Sequence, residues 1–450
     1  MARGPDRYVR LFTRLVLLAV LVVLLTRLVG FVVRFGNESL QADLAAYYTA
    51  GLSAAADLSP YVNQVGNDPP IWDGVNVFRH SRFLYPPLAA GAFSLLAPLP
   101  YQVVKFAWMT LTLAALAGAL LLAVRLTRMP PTLDRVLVLG IVGCWFWPVL
   151  TLLERGQVDA FTLLLLLAAL RLMQSRRPRS SLAAGCLVAL ATLLKLNCAF
   201  LIPFLALRRR WRTVGGFLLG VVVLLGLDLA VSGPARVSDY LFRELPRISA
   251  HGEGGTREMS LPRSTFAGVL AGVQPQKTVL DGRSYSPDYF KFVLNGSLVQ
   301  ALPGKLLRRA AVATGLPEPG LSQLALVFLA LFFAVFLALH RRRGPPADEP
   351  VYWQSVLVVI LLCGPVTWAM GAVWLLPVLP LLLREVPRAN DSGLVRALVL
   401  CTLGLLLAGA PDPYGFFMLS PFGVEVLNGK YVLGQLLCLV GLFGLWRRRS

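Results

Sequence analysis

The chain has 450 residues, of which 43 are Lys or Arg and 23 are Asp or Glu, for a formal net charge of +20. Hydrophobic residues make up 56% and charged residues only 15%, against roughly 25% charged in an ordinary soluble domain. This excludes disorder. It also argues against nucleic-acid binding, because the basic residues stand in tight clusters between long apolar runs. What remains is an all-α polytopic membrane protein.

In chain order, the first apolar run covers 11–33. It is too long for the apolar core of a secretory signal and lacks a small-x-small cleavage site, so it reads as an uncleaved first span. Eleven further candidate spans follow at 101–126, 134–152, 157–172, 182–194, 196–207, 213–231, 321–340, 351–365, 368–383, 394–410 and 431–446. Several are shorter than the roughly 20 residues a full crossing needs. The pairs meeting at Lys195 and at Pro365 each suit a kinked hairpin. Between the first two spans, the stretch 88–98 lies between Pro86-Pro87 and Pro98-Leu99-Pro100 and reads as a short re-entrant or interfacial helix. Ahead of it, Leu44, Tyr47, Tyr48 and Leu52 recur at helical spacing after Asp43, predicting an amphipathic helix in the membrane interface.

Basic clusters occupy every second boundary, among them Arg125/Arg128/Arg135, Arg208/Arg209/Arg210/Arg212 and Arg384/Arg388/Arg396. By the positive-inside rule these ends are cytoplasmic. Twelve spans then put both termini inside, within one integral membrane domain over 1–450, and two long segments, 34–100 and 232–320, fall outside.

Most polar residues near the outer boundaries admit two readings. Asp43 suits a general base toward a hydroxyl, or a helix N-cap. Tyr85 suits an aromatic belt or a pocket wall. Arg82 suits snorkelling at the headgroups or phosphate binding. Glu154-Arg155-Gly156-Gln157-Val158-Asp159 is a tight polar hairpin between apolar runs. Its charges call for pairing, Glu154 with Arg155 or Arg155 with Asp159, or for a cavity to line. Lys195, flanked by apolar residues, either snorkels or neutralises a lipid phosphate. The six cysteines all lie in apolar runs and read as small buried hydrophobes. No metal-ligand spacing, Walker motif or dinucleotide fingerprint occurs, so no cofactor is expected.

The ordered strings Asp43-Leu-Ala-Ala-Tyr47-Tyr48-Thr-Ala50-Gly51, Pro60-Tyr61, Phe83-Leu84-Tyr85-Pro86-Pro87-Leu88, Trp108, Gly156-Gln157-Val158-Asp159 and Leu194-Lys195-Leu196 with Arg208-Arg209-Arg210-Trp211 resemble the membrane glycosyltransferases of family 87. That family includes polyprenyl-phosphate-mannose-dependent α-1,2-mannosyltransferases. In the second half, Cys363-Gly364-Pro365-Val366-Thr367-Trp368 looks like the family's Ser-Pro-x-Ser-Trp segment. The His that often follows is replaced by Ala369-Met370-Gly371, and the family's Asn-Gln-Ser-Leu string is only echoed around Arg263. The resemblance implies a GT-C-type fold of about twelve transmembrane helices, with short interfacial or re-entrant helices on the outer side. It implies inverting transfer of a hexose, mannose first, from a polyprenyl-phosphate sugar to a lipid or glycan hydroxyl at the outer face of the plasma membrane. Asp43 would be the base. Tyr47, Tyr48, Arg82, Tyr85, Glu154, Gln157, Asp159, Lys195, Arg263 and Trp368 would surround the substrates, with Lys195 foremost on the phosphate. A transporter or flippase of a lipid-linked substrate, and an inactive divergent family member, stay open beside it.

Overall fold

A computed structural model describes residues 4–37, 42–61, 83–175, 177–246, 278–280, 283–285, 321–343, 349–364, 367–389, 391–411 and 421–446. The first half contains α1 (Gly4–Asn37), α2 (Ala42–Ala55), α3 (Pro87–Ser94), α4 (Tyr101–Thr127), α5 (Leu133–Trp145), α6 (Trp147–Arg155), α7 (Asp159–Met173), α8 (Pro178–Leu194), α9 (Leu201–Leu207), α10 (Trp211–Ser232) and α11 (Pro234–Asp239). A short antiparallel hairpin follows, β1 (Thr278–Leu280) with β2 (Arg283–Tyr285), registered Thr278 to Tyr285. The second half contains α12 (Leu321–Arg343), α13 (Glu349–Cys363), a tight helical turn at Ala369–Leu375, α14 (Val378–Glu385), α15 (Ser392–Gly409) and α16 (Pro421–Trp446).

Among the described residues, six helical stretches are long and apolar enough to cross a membrane, or seven when the bent α5–α6 pair counts as one span. Four more apolar helices are shorter. The protein is therefore a polytopic helical membrane protein. Burial divides its helices into two kinds. On α1 and α10 large apolar side chains such as Val22, Val23, Val222 and Val223 point outward, an arrangement that is stable against lipid and not against water. Inside them, α13 is buried from Val351 to Cys363, and so is nearly all of 369–382. A helix apolar on all sides belongs in the middle of a bundle.

Small residues allow the closest helix approaches. A side-chain carbon added at Gly404 of α15 would lie 2.5 Å from the Gly434 carbonyl of α16 and 2.6 Å from Cys438. Gly185 of α8 and Gly216 of α10 likewise meet the opposing backbone directly. Such contacts replace a hydrophobic drive, which lipid cannot supply, with dense packing. The six cysteines are free thiols, five of them buried, as expected.

Three breaks shape the polar region. Between α5 and α6 the axis bends by 51°, where Pro148 starts a new helix without an N–H to give the old one. α6 ends on Gly156 at φ +72, a left-handed conformation that suits glycine. After α8, Lys195 is extended, at φ −153 and ψ 102, and a 3₁₀ turn at Leu196–Phe200 precedes α9. The expected span 196–207 is thus a turn joined to a short helix.

α2 differs from its expectation in environment. Residues 43–51 are buried on every face, so this helix is enclosed by protein and has no open interfacial side there. The reason is close packing: an added carbon at Gly51 would lie 2.5 Å from the Phe93 carbonyl of α3.

Replacing Gly441, which packs against Ala397 and Cys401 of α15, by Leu is expected to cost about 1–3 kcal/mol through overpacking. Thermal unfolding in detergent checks this, with Gly429→Leu, where the added carbon meets nothing within 4 Å, as the control.

Candidate active site

The three breaks bring the ends of α2, α6, α7 and α8 together. Asp43 lies in the first turn of α2, one residue inside the helix and not ahead of it. Its carboxylate does not serve as a simple cap. Arg155, the last residue of α6, donates from Nε to Oδ2 at 2.6 Å and from Nη2 to Oδ1 at 3.1 Å, a two-pronged ion pair of the strong kind. The Asp43 side chain is 6% exposed and that of Arg155 21%. The guanidinium carbon also stands 6.0 Å from the centre of the Trp368 ring, within cation–π range.

Of the readings open for the 154–159 hairpin, Glu154 does act on Arg155 through its charge, and the ion pairs reach beyond the hairpin. Arg155 pairs with Asp43 instead of Asp159, and Asp159 pairs with Lys195. Gly156, at φ +72, ends α6 three residues before α7 begins at Asp159. Asp159 is fully buried, and the Lys195 ammonium also stands 5.7 Å from the Trp374 ring. The Trp374 indole N–H donates to the Asp159 carbonyl at 3.2 Å. Nearby, Asp159 Oδ2, Asn197 Oδ1 and Thr367 Oγ1 are buried without a hydrogen-bond partner among the described residues. A polar cluster with spare bonding capacity thus sits beneath the ion pairs.

A tyrosine network lies within electrostatic reach of both Asp43 and Asp159. Tyr47 Oη donates to Gln157 Oε1 at 3.2 Å and lies 2.9 Å from Tyr85 Oη. A hydroxyl carries one proton, so Tyr85 donates to Tyr47 and Tyr47 to Gln157. Burial above all, then Tyr85 and Asp43, push the Tyr47 phenol well above its ordinary range. Burial likewise raises the Tyr85 phenol, partly offset by the bond to Tyr47. Both remain neutral donors at any physiological pH. Tyr61 donates to the Tyr85 carbonyl at 2.7 Å and stacks on Tyr240 at 5.7 Å. Trp108 donates to the Gly156 carbonyl at 2.8 Å, satisfying a helix-end acceptor.

Of the residues expected from sequence, Asp43, Tyr47, Tyr85, Gln157, Asp159, Lys195 and Trp368 converge on this region. Tyr48 points elsewhere, donating to the Leu99 carbonyl at 2.8 Å, and so secures the turn after α3. Glu154 is half-buried beside Arg155. Arg82 and Arg263 lie outside the described residues. Arg155 was legible only as an internal pairing partner. Its signal was an arginine at a boundary otherwise poor in basic residues. No group of three metal-ligating side chains occurs among the described residues.

The cluster lies at the start of α4 and α7, while the Arg125/Arg128 and Arg171 clusters lie at their other ends. Carboxylates, cations and aromatic rings gathered at one end of a helical membrane bundle mark a candidate ligand site. Residues 83–280 match the family model of glycosyltransferase family 87. The matched part includes Tyr85, Arg155, Gln157, Asp159 and Lys195, whereas Asp43 and Trp368 lie outside it. A curated relative, the polyprenol-phosphate-mannose-dependent alpha-(1-2)-phosphatidylinositol pentamannoside mannosyltransferase of Mycolicibacterium smegmatis, is 33% identical over 132 residues. That alignment takes in 29% of this chain and spans about 31% of the relative's length. No solved structure matches the chain.

Three variants test the local physics. Gly156→Ala is expected to destabilise the fold by about 1–3 kcal/mol, because it strains a positive φ and drives a methyl to within 2.5 Å of Leu44 Cβ. Lys195→Met is expected to cost about 3–5 kcal/mol, with much of the loss recovered in Lys195→Met/Asp159→Leu, since an orphaned buried charge is worse than an apolar pair. Unfolding curves for the three proteins in one detergent decide both.

Proposed function

We propose that the protein is an inverting, polyprenyl-phosphate-sugar-dependent hexosyltransferase, with mannose the first choice of sugar and a lipid or glycan hydroxyl as acceptor. The observation that carries this reading is the buried carboxylate of Asp43, held at one end of the bundle beside Arg155, with Lys195 and a neutral tyrosine network close by. The family 87 match over residues 83–280 and the name of the mycolicibacterial relative support the class of donor. A GT-C-type fold of about twelve spans accommodates the six or seven long crossings together with the shorter apolar helices.

The face follows from charge. The site is at the bundle end remote from the arginine clusters, which the positive-inside rule assigns to the cytoplasm. In this reading the protein sits in the plasma membrane with both termini inside, as one membrane domain, and the site opens outward. The segments 34–100 and 232–320 belong to that outer side.

In the reaction the acceptor oxygen attacks the anomeric carbon, and the bond from that carbon to the phosphate oxygen breaks. Its electron pair leaves with the polyprenyl phosphate, and the acceptor proton passes to Asp43. One carboxylate and one displacement invert the anomeric centre. The leaving phosphate needs little acid help, and cations at the site stabilise the charge it gains. Lys195 and Arg155 are the candidates among the described residues, and Arg82 and Arg263 stay assigned to the same task from sequence. Tyr47, Tyr85, Gln157 and Trp368 border the sugar. Asp159 positions Lys195.

The broken helices at Lys195 and around Trp368 favour a second reading, transport of a lipid-linked substrate, since discontinuous helices often build transport sites. One experiment separates the two. The purified protein is given radiolabelled polyprenyl-phosphate mannose and envelope lipid acceptors. Transfer is expected, and Asp43→Asn is expected to reduce it by about 10²–10⁴-fold. Full transfer by Asp43→Asn removes the base assignment. Lipid movement across vesicles without any transfer replaces the enzyme reading with the transporter.

A further inference from the structure

We infer that Arg155 is an exchangeable partner, held by Asp43 as the structure shows it and taken over by the phosphate of the lipid-linked donor, so that donor binding itself releases the carboxylate that acts as base. This rests on the donor reading above and adds a residue and an order of events to it.

The geometry carries the inference in three ways. First, both Asp43 oxygens accept from one guanidinium. Arg155 holds two of the carboxylate's about four acceptor sites, so an acceptor hydroxyl has to share Asp43 with it until Arg155 moves. Second, the two partners are unequally enclosed. Asp43 is 6% exposed and Arg155 21%, so the cation is the partner that an incoming anion meets. The planar fork that holds a carboxylate with two bonds fits a phosphate equally well, and the Trp368 face 6.0 Å away can keep the guanidinium's charge company as it swings. Third, Lys195 is not equivalent. It is tied to Asp159, which is fully buried, is backed by Trp374, and is less exposed than Arg155, at 13% against 21%.

The charge balance runs in the same direction as the chemistry. Asp43 and Arg155 together are neutral, and an anionic phosphate placed beside an unscreened Asp43 would be repelled. With Arg155 between them both anions are served. As the reaction proceeds, Asp43 loses its charge to the acceptor proton while the departing phosphate gains one. A cation able to shift from the first to the second is bound more strongly at the transition state than before it, which is the condition for catalysis.

The test is equilibrium binding of a short-chain prenyl phosphate to the full chain in nanodiscs of zwitterionic lipid, with the matching prenol and inorganic phosphate as further ligands. If Arg155 is shared, Asp43→Asn removes its competitor and should tighten prenyl phosphate binding by about tenfold. Arg155→Gln should weaken it by about tenfold or more. Arg155→Lys should fall between, and Asp43→Asn/Arg155→Gln should match Arg155→Gln. Binding of the prenol should be indifferent to all four changes. A folded Asp43→Asn protein whose affinity is unchanged or weaker overturns the exchange, and so does a folded Arg155→Gln protein that binds as wild type, even if Asp43→Asn does not fold. A response confined to inorganic phosphate overturns the assignment to a lipid-linked phosphate. The donor reading fails separately, when wild type binds no prenyl phosphate at all.

Discussion

Two carboxylates and two cations buried at one end of an apolar bundle have to cancel one another, and the surrounding structure is arranged so that they do. An isolated charge in such a place costs several kcal/mol. Asp43 is met by Arg155 and Asp159 by Lys195. Neither pair lies within a single helix. Together they tie α2 to the end of α6, and the start of α7 to the break after α8. The Tyr85–Tyr47–Gln157 relay then connects α2 with the hairpin that separates the pairs. An ionic requirement thereby becomes a fixed geometry of helix ends.

That geometry is available only because the helices are interrupted. An unbroken α5–α6 rod would carry Arg155 away from α2, and the 51° bend brings it back. Gly156 then reverses the chain in a conformation that a side chain would strain and that Leu44 leaves no room for. Interruptions expose backbone groups, which are expensive in an apolar setting. Here they are satisfied locally. Trp108 binds the Gly156 carbonyl, and the Lys195 amide still reaches the Ala191 carbonyl at 2.8 Å. The rigid background is supplied by α13 and the 369–382 stretch, which are buried almost throughout. α1 and α10 present apolar side chains outward.

A site built this way is poised without being open. Its tyrosines are held neutral by burial, so they orient and donate but do not ionise. Its carboxylates are each met by a cation, and both cations are more exposed than the carboxylates they cover. The polar atoms around Asn197, Thr367 and Asp159 that lack partners leave the region beneath the ion pairs able to accept further hydrogen bonds. Rigidity on the core side and reserve capacity on the site side are what a membrane-boundary ligand site needs.

Much of this was legible in the sequence. The apolar runs and their approximate ends, the helix after Asp43, the short helix after Pro86-Pro87, the inert cysteines and the ordered family strings are local properties, carried by composition and spacing along a few turns. They are also why residues such as Tyr47, Tyr85, Gln157 and Lys195 were placed near a site in advance. The partner choice was not legible. Arg155 stands next to Glu154 and four residues before Asp159, yet it pairs with a residue 112 positions away. Lys195 reaches back 36 positions to Asp159. Likewise the spacing of Leu44, Tyr47 and Tyr48 marks a helix but cannot show that α3 and Gly156 close over it. Charge pattern and hydropathy determine that a segment is buried or helical. Which carboxylate meets which cation depends on the bend at Pro148, the left-handed turn at Gly156 and the extended break at Lys195, and their directions are set only when distant helices pack together.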